Sequence, residues 1–168
     1  MISALLTELK FEADNTRKLF DAITNDVLEY QPNDFNWTIA QLASHIAELY
    51  IWWPMTLEKD ILEISDYKYD KGDISDIQNI KEKLEENIAK AIASLENYPE
   101  EKLNEPWAMH QNGVEVLPPA PRTQVIRSWL FNHMYHHRGE LVAHLRANRK
   151  RVPGLYGPTY EDQMEMQK

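Results

Sequence analysis

Residues 37–53 read Trp37-Thr38-Ile39-Ala40-Gln41-Leu42-Ala43-Ser44-His45-Ile46-Ala47-Glu48-Leu49-Tyr50-Ile51-Trp52-Trp53, and this stretch decides the fold class. Thr38 and Gln41 have the spacing of a capping box, in which each side chain satisfies a backbone N–H left without a partner at a helix start. Trp37 and Leu42 have the spacing of the flanking hydrophobic staple. A helix therefore begins at Thr38 and carries Leu42, Ile46, Leu49 and Trp53 as apolar positions. Pro54 predicts a kink or break, because its ring removes a donor and crowds the carbonyl four residues earlier.

Helical spacing recurs on both sides of this element. Ile2, Leu5, Leu6, Leu9, Ala13, Phe20 and Ile23 predict a first helix over Met1 to Thr24. Pro32, Asn33 and Asp34 mark a connection over Asn25 to Asn36. After a polar stretch from Ser65 to Asp73, Ser75 and Gln78 repeat the capping-box spacing ahead of Ile77, Ile80, Leu84, Ile88, Ala91, Ile92 and Leu95. That helix ends near Pro99. Asn112-Gly113 then favours a tight hairpin, since both positions tolerate positive φ, so a short hairpin or ordered loop is expected before the last helix. This helix runs from Arg122 to Asn148, where Arg146, Arg149, Lys150 and Arg151 complement the negative end of its dipole. Val152 to Lys168, with Pro153, Gly154, Gly157 and Pro158, is expected as an irregular tail. The expectation is an all-α, antiparallel four-helix bundle forming one domain over residues 1–168.

Composition narrows the function classes. With 168 residues, 43% hydrophobic and 27% charged, the chain has the balance of a globular domain. Eighteen Lys and Arg against 27 Asp and Glu leave a net charge of −9, which disfavours nucleic acid and anionic lipid as partners. With no cysteine, there is no thiolate ligand or nucleophile, so any metal must be held by His, Asp or Glu. No apolar run reaches the roughly 20 residues of a bilayer span, and Glu8, Lys10 and Glu12 interrupt any signal-like stretch. A cytoplasmic protein is expected.

Six histidines stand at 45, 110, 133, 136, 137 and 144. At about 100° per residue, with His133 at zero, His137 falls near 40°, His144 near 20° and Glu140 near −20°, on the stripe shared with Ile126 and Trp129. His136 falls at its edge, near −60° by the same wheel. His45 is flanked on its own helix face by Leu42, Leu49 and Trp52. Two readings follow: core histidines satisfied by hydrogen bonds, or a divalent-metal site in which His133 and His137 supply ligands from successive turns and His45 closes a facial triad. By default His110 is a surface residue, Trp52 and Trp53 are core, and Glu48 and Glu140 are solvated or paired surface residues of their helices.

The stretches Trp37 to His45 and Asn132-His133-Met134-Tyr135-His136-His137-Arg138-Gly139-Glu140-Leu141 resemble the two signature stretches of the DinB-like (YfiT-like) family, the damage-inducible bundle family rather than the polymerase that shares the name. Trp107 and the tail from Pro153 to Asp162 extend the resemblance over nearly the whole chain. It implies a four-helix bundle with one crossing connection, commonly a homodimer, that holds a divalent ion such as zinc or nickel. The family's three ligand histidines fall on His45, His133 and His137, while His136 and Arg138 match supporting positions. Glu140 departs from the Gln most often found there, which puts the local charge and any supporting hydrogen bond in question.

The resemblance also implies chemistry on a small molecule, either transfer involving a low-molecular-weight thiol or metal-assisted hydrolysis. Glu48 or Glu140 would be the candidate general base for the second, although neither is assigned as catalytic. The competing reading is a non-catalytic, stress-related dimer that binds metal or ligand.

Overall fold

The capping box at Thr38 forms in both directions: Gln41 N–H donates to Thr38 Oγ1 at 3.2 Å and Thr38 N–H donates to Gln41 Oε1 at 3.0 Å. The next two N–H groups are taken by the preceding loop, Ile39 donating to the carbonyl of Tyr30 and Ala40 to that of Leu28, each at 3.0 Å. No orphan donor is left to fray this helix start, and His45 follows on a fixed scaffold.

The computed structural model describes residues 1–167. Among the described residues, seven α-helices are α1 (Ile2–Phe20), α2 (Ile39–Glu48), α3 (Trp52–Glu58), α4 (Ile77–Glu96), α5 (Arg122–Val125), α6 (Asn132–Ala147) and α7 (Tyr160–Met166). Three strands are β1 (Ile61–Glu63), β2 (Pro106–Gln111) and β3 (Val114–Pro121). Helix α4 packs against α1, α2 and α3, and α2 also packs against α6. Their inward faces share a core containing Leu9, Ala13, Leu42, Ile46, Trp53, Ile88, Leu130, Met134 and Leu141. Among the described residues no helix is long and apolar enough to cross a membrane.

The all-α expectation is corrected by a three-stranded sheet of order β1-β2-β3. The hairpin is as expected, with Asn112 at φ 52° and Gly113 at φ 73° between antiparallel β2 and β3. What the periodicity does not reveal is β1, which pairs in parallel with β2 through Ile61–Ala108, Leu62–Met109 and Glu63–His110. Its three residues are too few to show a period. Glu63 then reaches the hairpin tip, accepting from the N–H groups of Asn112 and Gly113, each at 2.9 Å.

Other boundaries move for local reasons. The first helix stops at Phe20 rather than Thr24, where a 3-10 turn over Asn25–Val27 begins the connection. The third long helix is capped by Asp76 rather than Ser75, its carboxylate accepting from Gln78 N–H at 3.0 Å, as the positive end of the dipole favours. The break forced by Pro54 lies upstream of it. Ile51, Trp52 and Trp53 donate to carbonyls three residues back, and Pro54 sits in the first turn of α3, where no intrahelical donor is needed. The expected helix from Arg122 to Asn148 is interrupted by a π-helical segment, Ile126–Phe131. The tail is not wholly irregular, because Thr159 and Asp162 form a second capping box that starts α7.

Three of the four basic residues at the end of α6 are paired within the chain. Lys150 pairs with Asp26, Arg151 with Asp162 and Glu165, and Arg146 with Glu161. The chain turns there through Arg149 at φ 59°, with Arg149 N–H on the carbonyl of Arg146 and Lys150 N–H on that of Leu145. This is the Schellman arrangement with an arginine in the left-handed position that glycine usually fills.

Two buried arginines tie the elements together. Arg122 donates to the carbonyls of Thr56 at 3.0 Å, Lys59 at 2.9 Å and Pro106 at 3.1 Å, joining the end of α3 to the sheet. Arg138, 2% exposed, pairs with the Glu12 carboxylate, 4% exposed, and donates to the Glu12 carbonyl at 3.0 Å. Tyr156 O–H donates to the same carboxylate at 2.7 Å, which latches the tail onto the pair.

Two outcomes are expected in urea unfolding. Glu12→Ala leaves the Arg138 guanidinium buried without its carboxylate and costs about 3–5 kcal/mol. Arg149→Gly relieves the left-handed conformation and stabilises by about 0.5–1 kcal/mol; a loss of stability would contradict the assigned strain.

Candidate metal centre

His45 lies on the second turn of α2, and His133 and His137 on successive turns of α6, the two helices whose packing faces them toward each other. One ring nitrogen from each of the three lies within 4.8 Å of the others. His45 Nε2 and His133 Nε2 are 3.4 Å apart. Two nitrogens bound to one tetrahedral ion at about 2.0–2.1 Å would lie about 3.3 Å apart, so the spacing matches the edge of a coordination polyhedron.

The far nitrogens of two rings are held by carboxylates. His45 Nδ1–H donates to Glu48 Oε2 at 2.8 Å, and His137 Nδ1–H donates to Glu140 Oε2 at 2.7 Å. A carboxylate only accepts, so each bond places the ring proton on Nδ1 and leaves Nε2 with its lone pair. This carboxylate–histidine pairing orients and strengthens metal-ligating imidazoles. Of the two defaults for Glu48 and Glu140, solvated or paired, the structure shows both carboxylates paired, each with the histidine three residues before it. The signal was in the sequence as a repeated His-x-x-Glu, because residues three apart on a helix are neighbours. The departure at Glu140 places a carboxylate, instead of an amide, in contact with the His137 ring.

His133 is seated differently. Its ring is flanked by Trp129 at 5.1 Å and Trp52 at 6.0 Å between centroids, and its Nδ1 is buried with no partner. Burial, then the neighbouring rings of His137 and His45, pushes its pKa down to about 4. His137 is also lowered by burial, against the opposing pull of Glu140. Neutral imidazole is the form that coordinates. An apolar seat that keeps the His133 ring neutral favours the coordinating form, and its Nε2, beside His45, rather than the buried Nδ1, is the atom that could hold an ion.

Trp37 closes the centre from outside. Its ring stacks on His137 at 5.6 Å and meets His45 edge-on at 4.8 Å, so the residue read as a staple is a wall of the site. A cleft opens on each side of it. One of about 190 Å³ is lined by Phe35, Trp37, Leu42, His137, Glu140 and His144. The other, about 250 Å³, is lined by Trp37, Gln41, His45, Glu48, Tyr69 and Lys71. His144, placed on the ligand stripe by the helical wheel, lies apart from the three-nitrogen cluster and lines the first cleft. His136 is exposed at the outer edge of α6, His110 lies in β2, and Arg138 serves the core.

A sequence model described as the DinB family matches residues 1–168. The "uncharacterized protein YrdA" of Bacillus subtilis (strain 168) is 26% identical over 163 residues, covering 94% of this chain and 89% of that protein. A DinB-like protein from Bacillus cereus superposes with a TM-score of 0.68 at 21% identity, covering 92% of this chain and 97% of its own. A DinB-like protein, YjoA, from Bacillus subtilis superposes with a TM-score of 0.72 at 16% identity, covering 90% and 97% respectively. These structural likenesses concern the fold.

The seat of His133 has a consequence for acid stability. Its pKa is about 4 in the folded chain against an ordinary 6.5, so between these values the unfolded chain binds more protons and stability falls as pH falls. The urea midpoint of metal-stripped protein is expected to drop through that window more steeply than that of His133→Phe; equal slopes would refute the assignment.

Proposed function

The chain belongs to the DinB family over residues 1–168, and from that premise we propose that it binds one divalent metal ion through His45, His133 and His137 and acts as a metal-dependent enzyme on a small molecule. The observation that carries this reading is the convergence of three imidazole nitrogens, two of them backed by carboxylates on the opposite ring atom.

A bound ion would supply Lewis acidity and an attachment point for a thiolate or a water molecule at the coordination positions the protein leaves open. The chain's own residues provide the rest. Glu48 and Glu140 keep the protons of His45 and His137 on Nδ1 and the rings in register. Trp52 and Trp129 keep water away from His133. Trp37 shields the outer side and divides the approach into two clefts. At about 190 and 250 Å³ these fall below the range of about 300–1,000 Å³ typical for drug-sized ligands, which supports a small substrate.

In finer terms, we read α1, α2, α4 and the α5–α6 helix as the frame of a single-domain four-helix bundle. We expect zinc or nickel as the ion, a low-molecular-weight thiol or a hydrolysable compound as the substrate, and a cytoplasmic homodimer as the working form.

Protein purified without chelator or nickel resin is expected to carry one ion per chain by metal mass spectrometry, and His45→Ala to carry none. Glu48→Ala is expected to bind the ion about 10–100-fold more weakly, because it loses the carboxylate that orients His45. A wild-type chain that takes up no zinc or nickel even after incubation would overturn the reading in favour of structural histidines.

A further inference from the structure

Glu140 has two oxygens with different neighbours. Oε2 accepts from His137 Nδ1–H at 2.7 Å, while Oε1 faces the ring of His136, 3.5 Å from its Nε2. The second distance is long for a charge-assisted hydrogen bond, yet it is close to the separation of a nitrogen and an oxygen that share one ion at about 2.0–2.2 Å. His136, His137 and Glu140 form a group whose potential ligand atoms lie within 4.8 Å of one another.

We propose that His136 Nε2 and Glu140 Oε1 form a second, weaker divalent-cation site on the outer face of α6, coupled through the Glu140 carboxylate to His137. The two residues stand one helical turn apart, a spacing that places both side chains on one face. The carboxylate is already oriented by His137, so binding there does not have to immobilise a free side chain. His136 is 64% exposed and Glu140 38%, which leaves the remaining coordination positions to water. One imidazole and one carboxylate suit zinc-like ions better than magnesium or calcium. The net charge of −9 favours cation approach.

The coupling follows from the shared carboxylate. An ion on Oε1 draws electron density away from the oxygen that accepts the His137 proton, and so makes that ring a poorer donor of its Nε2 lone pair. The outer site shares Glu140 with the proposed three-histidine centre but does not depend on it.

The test is calorimetric titration of metal-stripped protein with zinc chloride. Two equivalents are expected in the wild type, one tight and one at least tenfold weaker. His136→Ala, at an exposed position, is expected to lose the weak equivalent and keep the tight one. Glu140→Gln is expected to lose the weak one and weaken the tight one. A single equivalent in the wild type, or two equivalents retained in His136→Ala, overturns the outer site. His45→Ala separates the two readings: loss of the tight equivalent alone supports both, whereas its retention sinks the three-histidine centre and leaves the outer site standing.

Discussion

The buried pairing of Arg138 with Glu12 sets the rotation of α6, and the rotation of α6 determines what the site contains. Arg138 follows His137 directly in the chain, so about 100° of helix separates a residue committed to α1 from one facing α2. The guanidinium also lies over the rings of Tyr135 and Tyr156, at 5.3 and 5.8 Å. Turning the helix to bring Arg138 into water would remove His133 and His137 from His45. An ion pair so deeply buried is a poor source of net stability, because desolvation offsets much of the attraction. Its value here is orientational: it makes every other setting of the helix costly.

The three-histidine cluster combines three features that would favour a metal ion over protons. Tryptophans and burial keep His133 neutral, carboxylates fix the tautomers of His45 and His137, and Trp37 restricts access. The carboxylates bring negative charge close to rings that would carry the positive charge of a bound ion. Had the rings been paired with backbone carbonyls instead, orientation would be similar and charge compensation smaller.

Features set by neighbours in sequence were legible, and those set by distant partners were not. The cap at Thr38, the hairpin turn at Asn112-Gly113 and the shared face of His133 and His137 each depend on a few adjacent residues, and the structure contains all three. By contrast, β1 exists because β2 lies alongside it, and Arg122 is buried because it gathers carbonyls from three separated residues. Glu12 looked like an interruption of an apolar run until its partner, 126 positions away, was in view. Glu48 and Glu140 are a different case. Their spacing from the histidines was visible, but a helix-surface glutamate is so common that spacing alone carried no weight until the distances were known.

The π-helical segment between the two buried arginines acts as a phase adjuster. Arg122 locks the start of the long helix to the sheet and Arg138, midway along α6, locks it to α1, so neither side of the π-helical segment can rotate to correct a mismatch. Six residues wound more widely than an α-helix turn less per residue and absorb roughly one residue's worth of angle between the anchors. The histidines begin immediately after this adjustment. Such a helix resembles a shaft keyed at two points with a compensating joint between them, so that sequence length in the joint, more than its side chains, sets the angle at which the His133 and His137 rings are presented to His45.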